Sequence, residues 1–112
     1  MFDDTRLKEQ LRDTILDHSN TIFFSSITIA EIAIKISLDK LFAPRELRLL
    51  LAEAGFIELP VSALHAEALI PLPWHHRDPF DRLLIAQAQV EGLRLASADR
   101  AFSAYDVELI PN

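Results

Sequence analysis

The chain has 112 residues, half of them hydrophobic, which bounds it to one domain with one core. Its 17 acids against 11 lysines and arginines, a formal net charge of −6, argue against a general nucleic-acid-coating protein but not against a nuclease, whose site must itself be acidic to hold divalent cations. The absence of cysteine excludes disulfides, thiolate zinc sites and cysteine nucleophiles, and fits a reducing cytoplasm.

The N-terminus, Met1 to Leu11, is charged and lacks the apolar run of a signal peptide. Residues 5–17 read as an amphipathic helix with Leu7, Leu11, Ile15 and Leu16 on one side. Thr21 to Ser25, β-branched and aromatic, predicts a buried strand. Ser25 and Ser26 offer a turn, with Thr28 as N-cap of a helix at 29–39. In that helix Ile32, Ile36 and Leu38 lie towards the core, and Lys35 and Asp39 can pair. Pro44 opens a helix through Ala54 that Gly55 closes. Phe56 to Leu59 is a strand ended by Pro60, and Ser62 starts a helix to about Ile70. Pro71 to His76 is a proline-rich loop carrying the only tryptophan, Trp74. Asp78 caps a helix with Pro79 at its first position, running to Glu91 and ended by Gly92. Leu93 to Ser97 is a strand, 99–104 a turn or short helix, and Val107 to Ile110 a last strand. No apolar stretch approaches the ~20 residues of a membrane span. With only Gly55 and Gly92, a glycine-rich phosphate loop is absent.

Strands alternating with helices of this length predict an α/β fold, a parallel sheet with helices on both faces. In such sheets ligands bind at the carboxyl ends of the strands. Glu31 follows the strand 21–25 by about a turn, Asp99 follows the strand 93–97, and Asp81 opens the Asp78 helix, so all three acids can share one rim. Carboxylates so placed suit magnesium, which takes one or two of them with waters and substrate phosphates.

Plainer readings stand beside this one. Asp78 reads as an N-cap, Asp81 as a dipole partner or a ligand, Glu31 as a solvent-facing or a site acid, and Asp99 as a turn aspartate or a ligand. Ser97 can hydrogen-bond an acid or substrate, or merely end its strand. Arg77 and Arg82 can contact RNA phosphates, though Arg82 is also placed to pair with Asp78. Adjacent His75 and His76 rarely point the same way and do not make a zinc site. Trp74 and Phe80 read as core or dimer surface before base-stacking platforms, and His65 as structural.

Three blocks carry a more specific likeness. The first is Ser25-Ser26-Ile27-Thr28-Ile29-Ala30-Glu31-Ile32-Ala33-Ile34-Lys35, followed by Asp39-Lys40-Leu41. The second is Leu72-Pro73-Trp74-His75-His76-Arg77-Asp78-Pro79-Phe80-Asp81-Arg82 with Leu84-Ile85-Ala86-Gln87-Ala88. The third is Leu95-Ala96-Ser97-Ala98-Asp99 with Phe102 and Tyr105. Together they resemble the PIN domain, and more narrowly the VapC-type ribonuclease toxins of bacterial toxin–antitoxin pairs.

The resemblance implies a PIN-like α/β/α sandwich and a cytoplasmic endoribonuclease that uses Mg²⁺ or Mn²⁺ to hydrolyse RNA phosphodiester bonds. Glu31, Asp81 and Asp99 match the family's acidic metal ligands, and Ser97 a position beside the last acid. Arg82 is carried as a substrate-binding or supporting residue. The implied partners are the RNA substrate, a VapB-like antitoxin and a second copy of the chain, with no membrane.

One departure matters. The family begins with a central hydrophobic strand ending in a further ligand aspartate, and Asp3 and Asp4 do not match it. The expectation is a single PIN-like domain over 1–112, N-terminally truncated by about a dozen or more residues, through a shortened product or a misassigned start. Losing a central strand would cost several kcal/mol, at about 1.5–3 kcal/mol per buried aliphatic side chain, against a total stability of about 5–15 kcal/mol. Two rival readings follow. One is a catalytically incomplete PIN remnant that only binds an antitoxin or partner protomer. The other is an acidic α/β domain whose acids only cap helices and solubilise the surface.

Overall fold

The structure, a computed structural model, describes residues 19–96 together with Asp13, Leu16, Asp17 and Tyr105. Most of the helix expected at 5–17 lies outside the described residues, as do Ser97, Asp99, the turn at 99–104 and the strand at 107–110. Among the described residues the elements run β1 (Phe23–Ser25), α1 (Ser26–Ser37), α2 (Leu47–Glu53), β2 (Ile57–Leu59), α3 (Ala63–Glu67) and α4 (Pro79–Glu91). The two strands pair in parallel, with Phe23 opposite Ile57, Phe24 opposite Glu58 and Ser25 opposite Leu59. Parallel pairing needs a crossover, and α1 and α2 provide it. The fold is α/β, with a two-stranded parallel sheet among the described residues.

The β1–α1 junction is tighter than the sequence suggests. Ser25, not Thr28, is the N-cap: its backbone is extended and its hydroxyl accepts the Ile27 N–H at 3.0 Å. The last strand residue thus starts the helix with no intervening turn. Its neighbour Ser26 accepts the Val61 N–H at 3.1 Å, tying the start of α1 to the exit of β2. At its other end α1 stops at Ser37. Asp39 takes a left-handed backbone (φ 56°), its N–H donates to the Ile36 carbonyl, and the Lys40 N–H donates to the Lys35 carbonyl. This is a Schellman closure with aspartate where glycine is usual. Asp39 therefore lies past the helix, not one turn along it from Lys35.

The second helix starts at Leu47 rather than at Pro44, and α3 ends at Glu67 rather than near Ile70. Both are short. The segment expected as a strand at 93–97 shows a single bridging residue, Leu95, among its described positions.

The core sits on α4, which packs against α1 and α3. Ile85 and Leu72 are buried with Tyr105, and Leu69 and Leu95 close around them. Arg82 and the run Ile85 to Ala88 are buried, so this helix is covered on more than one side. The first helix has no buried residue, and Leu38, expected towards the core, is exposed. No helix among the described residues is long and apolar enough to cross a membrane.

Candidate functional site

The start of α4 is built from consecutive residues, each with one task. Pro79 occupies the first helical position, where a missing N–H costs no hydrogen bond. Asp78 caps, its Oδ1 accepting the N–H groups of Phe80 at 2.9 Å and Asp81 at 3.4 Å. Asp81 then stands in the first turn, where the helix dipole favours a carboxylate. Its side chain is about a fifth exposed, and its Oδ2 meets His76 Nε2 at 3.1 Å.

The loop before the helix is held from within. Arg82 is buried, and its guanidinium donates to the carbonyls of Pro73 (2.8 Å), Leu72 (3.2 Å) and His76 (3.4 Å). Trp74 lies over the same guanidinium, 3.7 Å from its ring centroid. The His76 N–H donates to the Tyr105 hydroxyl at 2.7 Å, and the His75 ring meets Tyr105 edge-on. Arg82 is thus a loop anchor. Its guanidinium reaches three carbonyls in place of the Asp78 carboxylate and is covered away from solvent.

Glu31 lies half-buried on α1, and its side chain makes no hydrogen bond or ion pair among the described residues. A cavity of about 650 Å³ opens between β1 and residues 93–96, with Thr28, Leu84 and Gln87 on its walls. Thr28 is three residues before Glu31, and Leu84 three after Asp81, so each acid stands within a helical turn of this space. Ser25 and Gln87 brace its floor. The Ser25 hydroxyl donates to Gln87 Oε1 at 2.5 Å, and Gln87 Nε2 donates to the Leu59 carbonyl at 3.4 Å. The ends of both strands are thereby fixed to α4.

Of the residues expected at the site, Glu31 and Asp81 fall on two packed helices, and Ser97 and Asp99 lie outside the described residues. Among the described residues no three of the His, Cys, Asp and Glu side chains converge as a metal cluster. The donor chemistry nonetheless fits a hard divalent cation: carboxylate oxygens, no sulfur, and a carboxylate already oriented by a hydrogen-bond donor. Ser25, Gln87 and the tie between His76 and Asp81 were not legible in the sequence. The last joins a loop residue to a helix residue, a spacing that neither helical nor strand periodicity marks.

A family model described as the PIN domain matches residues 1–108. The chain belongs to the PIN domain family. That membership carries nuclease chemistry in general, RNA as the general binding partner, and divalent metals as the usual cofactor. No match is found among curated proteins or among solved structures. Within this PIN domain the second sequence block is the loop and helix start just described, and its histidine, aspartates and arginine form one hydrogen-bonded unit.

Proposed function

We propose that this PIN domain is a cytoplasmic endoribonuclease of the VapC toxin type, dependent on Mg²⁺ or Mn²⁺, with Glu31, Asp81 and Asp99 as the acids that hold the ion and Ser97 beside them. The observation that carries the reading is Asp81: a partly exposed carboxylate at a helix N-terminus, oriented by His76, in a chain matched by the PIN family over 1–108. When bound, a divalent cation neutralises phosphate charge and makes a water more acidic, the two needs of phosphodiester hydrolysis. Glu31 and Asp81 hold charge at the site, and the capped helix start keeps Asp81 from turning away. The exposed apolar residues Leu38, Leu41 and Phe42 support a covering partner, a second copy of the chain or a VapB-like antitoxin.

The test is cleavage of total tRNA and rRNA by the purified protein with Mg²⁺ or Mn²⁺, with EDTA and Asp81→Asn as controls. The expected result is metal-dependent cutting that falls at least ~100-fold in the variant. Undiminished cutting by Asp81→Asn would remove Asp81 from the site. A folded protein that binds antitoxin but cuts nothing would support the binding-only remnant.

A further inference from the structure

We propose that His76 is a positioning residue for Asp81, with its ring proton on Nε2, holding the carboxylate in the orientation in which it meets a divalent cation. This rests on the reading of Asp81 as a metal ligand. Four contacts define it. The Asp78 N–H donates to His76 Nδ1 at 3.1 Å, so Nδ1 carries no proton. The ring's N–H is therefore Nε2, which faces Asp81 Oδ2 at 3.1 Å. The backbone that carries the ring is also held: the His76 N–H donates to the Tyr105 hydroxyl at 2.7 Å, and the His76 carbonyl accepts from buried Arg82.

The arrangement has a chemical sense. A carboxylate offers about four lone-pair directions, and the histidine N–H takes one of them. That bond removes rotational freedom about the last side-chain torsion, which would otherwise be lost on binding. Outer partners of this kind typically account for 10–100-fold in metal affinity. The capping amide of Asp78 selects the tautomer, so the helix start and the carboxylate are coupled through one ring.

The test is Mn²⁺ affinity of the full 112-residue chain, measured by calorimetry with no RNA present. His76→Ala is expected to weaken binding about 10–100-fold, and His76→Gln, which keeps an N–H donor of similar reach, to recover most of it. A thermal melt of each variant confirms that it is folded at the temperature used. Unchanged affinity in folded His76→Ala, with loss in Asp81→Asn, would overturn the positioning role and leave the ligand reading standing. Unchanged affinity in Asp81→Asn would overturn both. A direct readout needs no variant: ¹⁵N chemical shifts of the His76 ring should show the Nε2–H tautomer. The Nδ1 tautomer would refute the proposal even if His76→Ala does not fold.

Discussion

Arg82 shows how much one side chain can organise. A guanidinium presents five donors in a fixed plane, and here that plane meets three carbonyls of one loop while a tryptophan covers its face. A lysine ammonium is a point charge that cannot span those acceptors or stack. Arg82→Lys is expected to cost roughly 2–3 kcal/mol, read as a lower urea midpoint with unchanged slope. An unchanged midpoint would show the loop held by other contacts. The sequence offered Arg82 as a phosphate contact or a partner of Asp78, because backbone acceptors leave no mark in a residue pattern. His65 is a comparable case. It is buried, its Nδ1 accepts the Ser62 N–H, and its Nε2 meets Glu91 at 2.7 Å, joining α3 to the end of α4. Its structural reading from the sequence holds, though the partner 26 residues away could not be named in advance.

At the scale of elements, the helix ends decide what was legible. The helix α4 is legible in the sequence from Asp78 to Gly92 because each end carries its own chemistry: a capping aspartate, a proline, and a glycine with a left-handed backbone (φ 65°). The start of α1 is not legible in the sequence because Ser25 serves two elements at once, and strand patterning hides its capping role. Replacing Asp78 by Ala should lower stability by about 1 kcal/mol, while Ser should be nearly neutral. If Asp78 caps without binding metal, Asp78→Ser also keeps Mn²⁺ affinity, and a calorimetric titration reads that directly. Asp39 offers the converse test. Its left-handed backbone costs any side-chain-bearing residue more than glycine, so Asp39→Gly should raise stability by roughly 0.5 kcal/mol. A lower melting temperature in that variant would mean that the aspartate side chain compensates for its backbone. The acids themselves were legible only as candidates. Their spacing brings Glu31 and Asp81 onto packed helices, but the distance between two side chains depends on packing that no local pattern encodes.

On the scale of the whole molecule, several large apolar side chains of the described residues face outward. Phe42 is fully exposed and Ile70 is 85% exposed, with Leu38, Leu64 and Trp74 also largely in solvent. Scattered exposed apolar residues are ordinary, but Leu38, Leu41 and Phe42 are close together in the chain. If that stretch is covered by a second copy, sedimentation should show concentration-dependent association of the wild-type chain, and Phe42→Ser should shift it towards monomer. A monomer at all concentrations would leave the surface to another partner.

The loop anchored by Arg82 has a consequence for motion. Arg82, the carbonyls it grips, the His76 ring and the Asp81 carboxylate all belong to residues 72–82 or to the helix they enter. Rocking of α4 against the rest of the molecule carries them together, as a jig carries the part clamped in it, and leaves the gap between His76 and Asp81 unchanged. Glu31 rides on a different helix. The alignment of Asp81 is therefore set within residues 72–82 and by the Tyr105 hydroxyl that binds the His76 N–H, whereas the separation of the two acids is open to any force that slides α1 along α4.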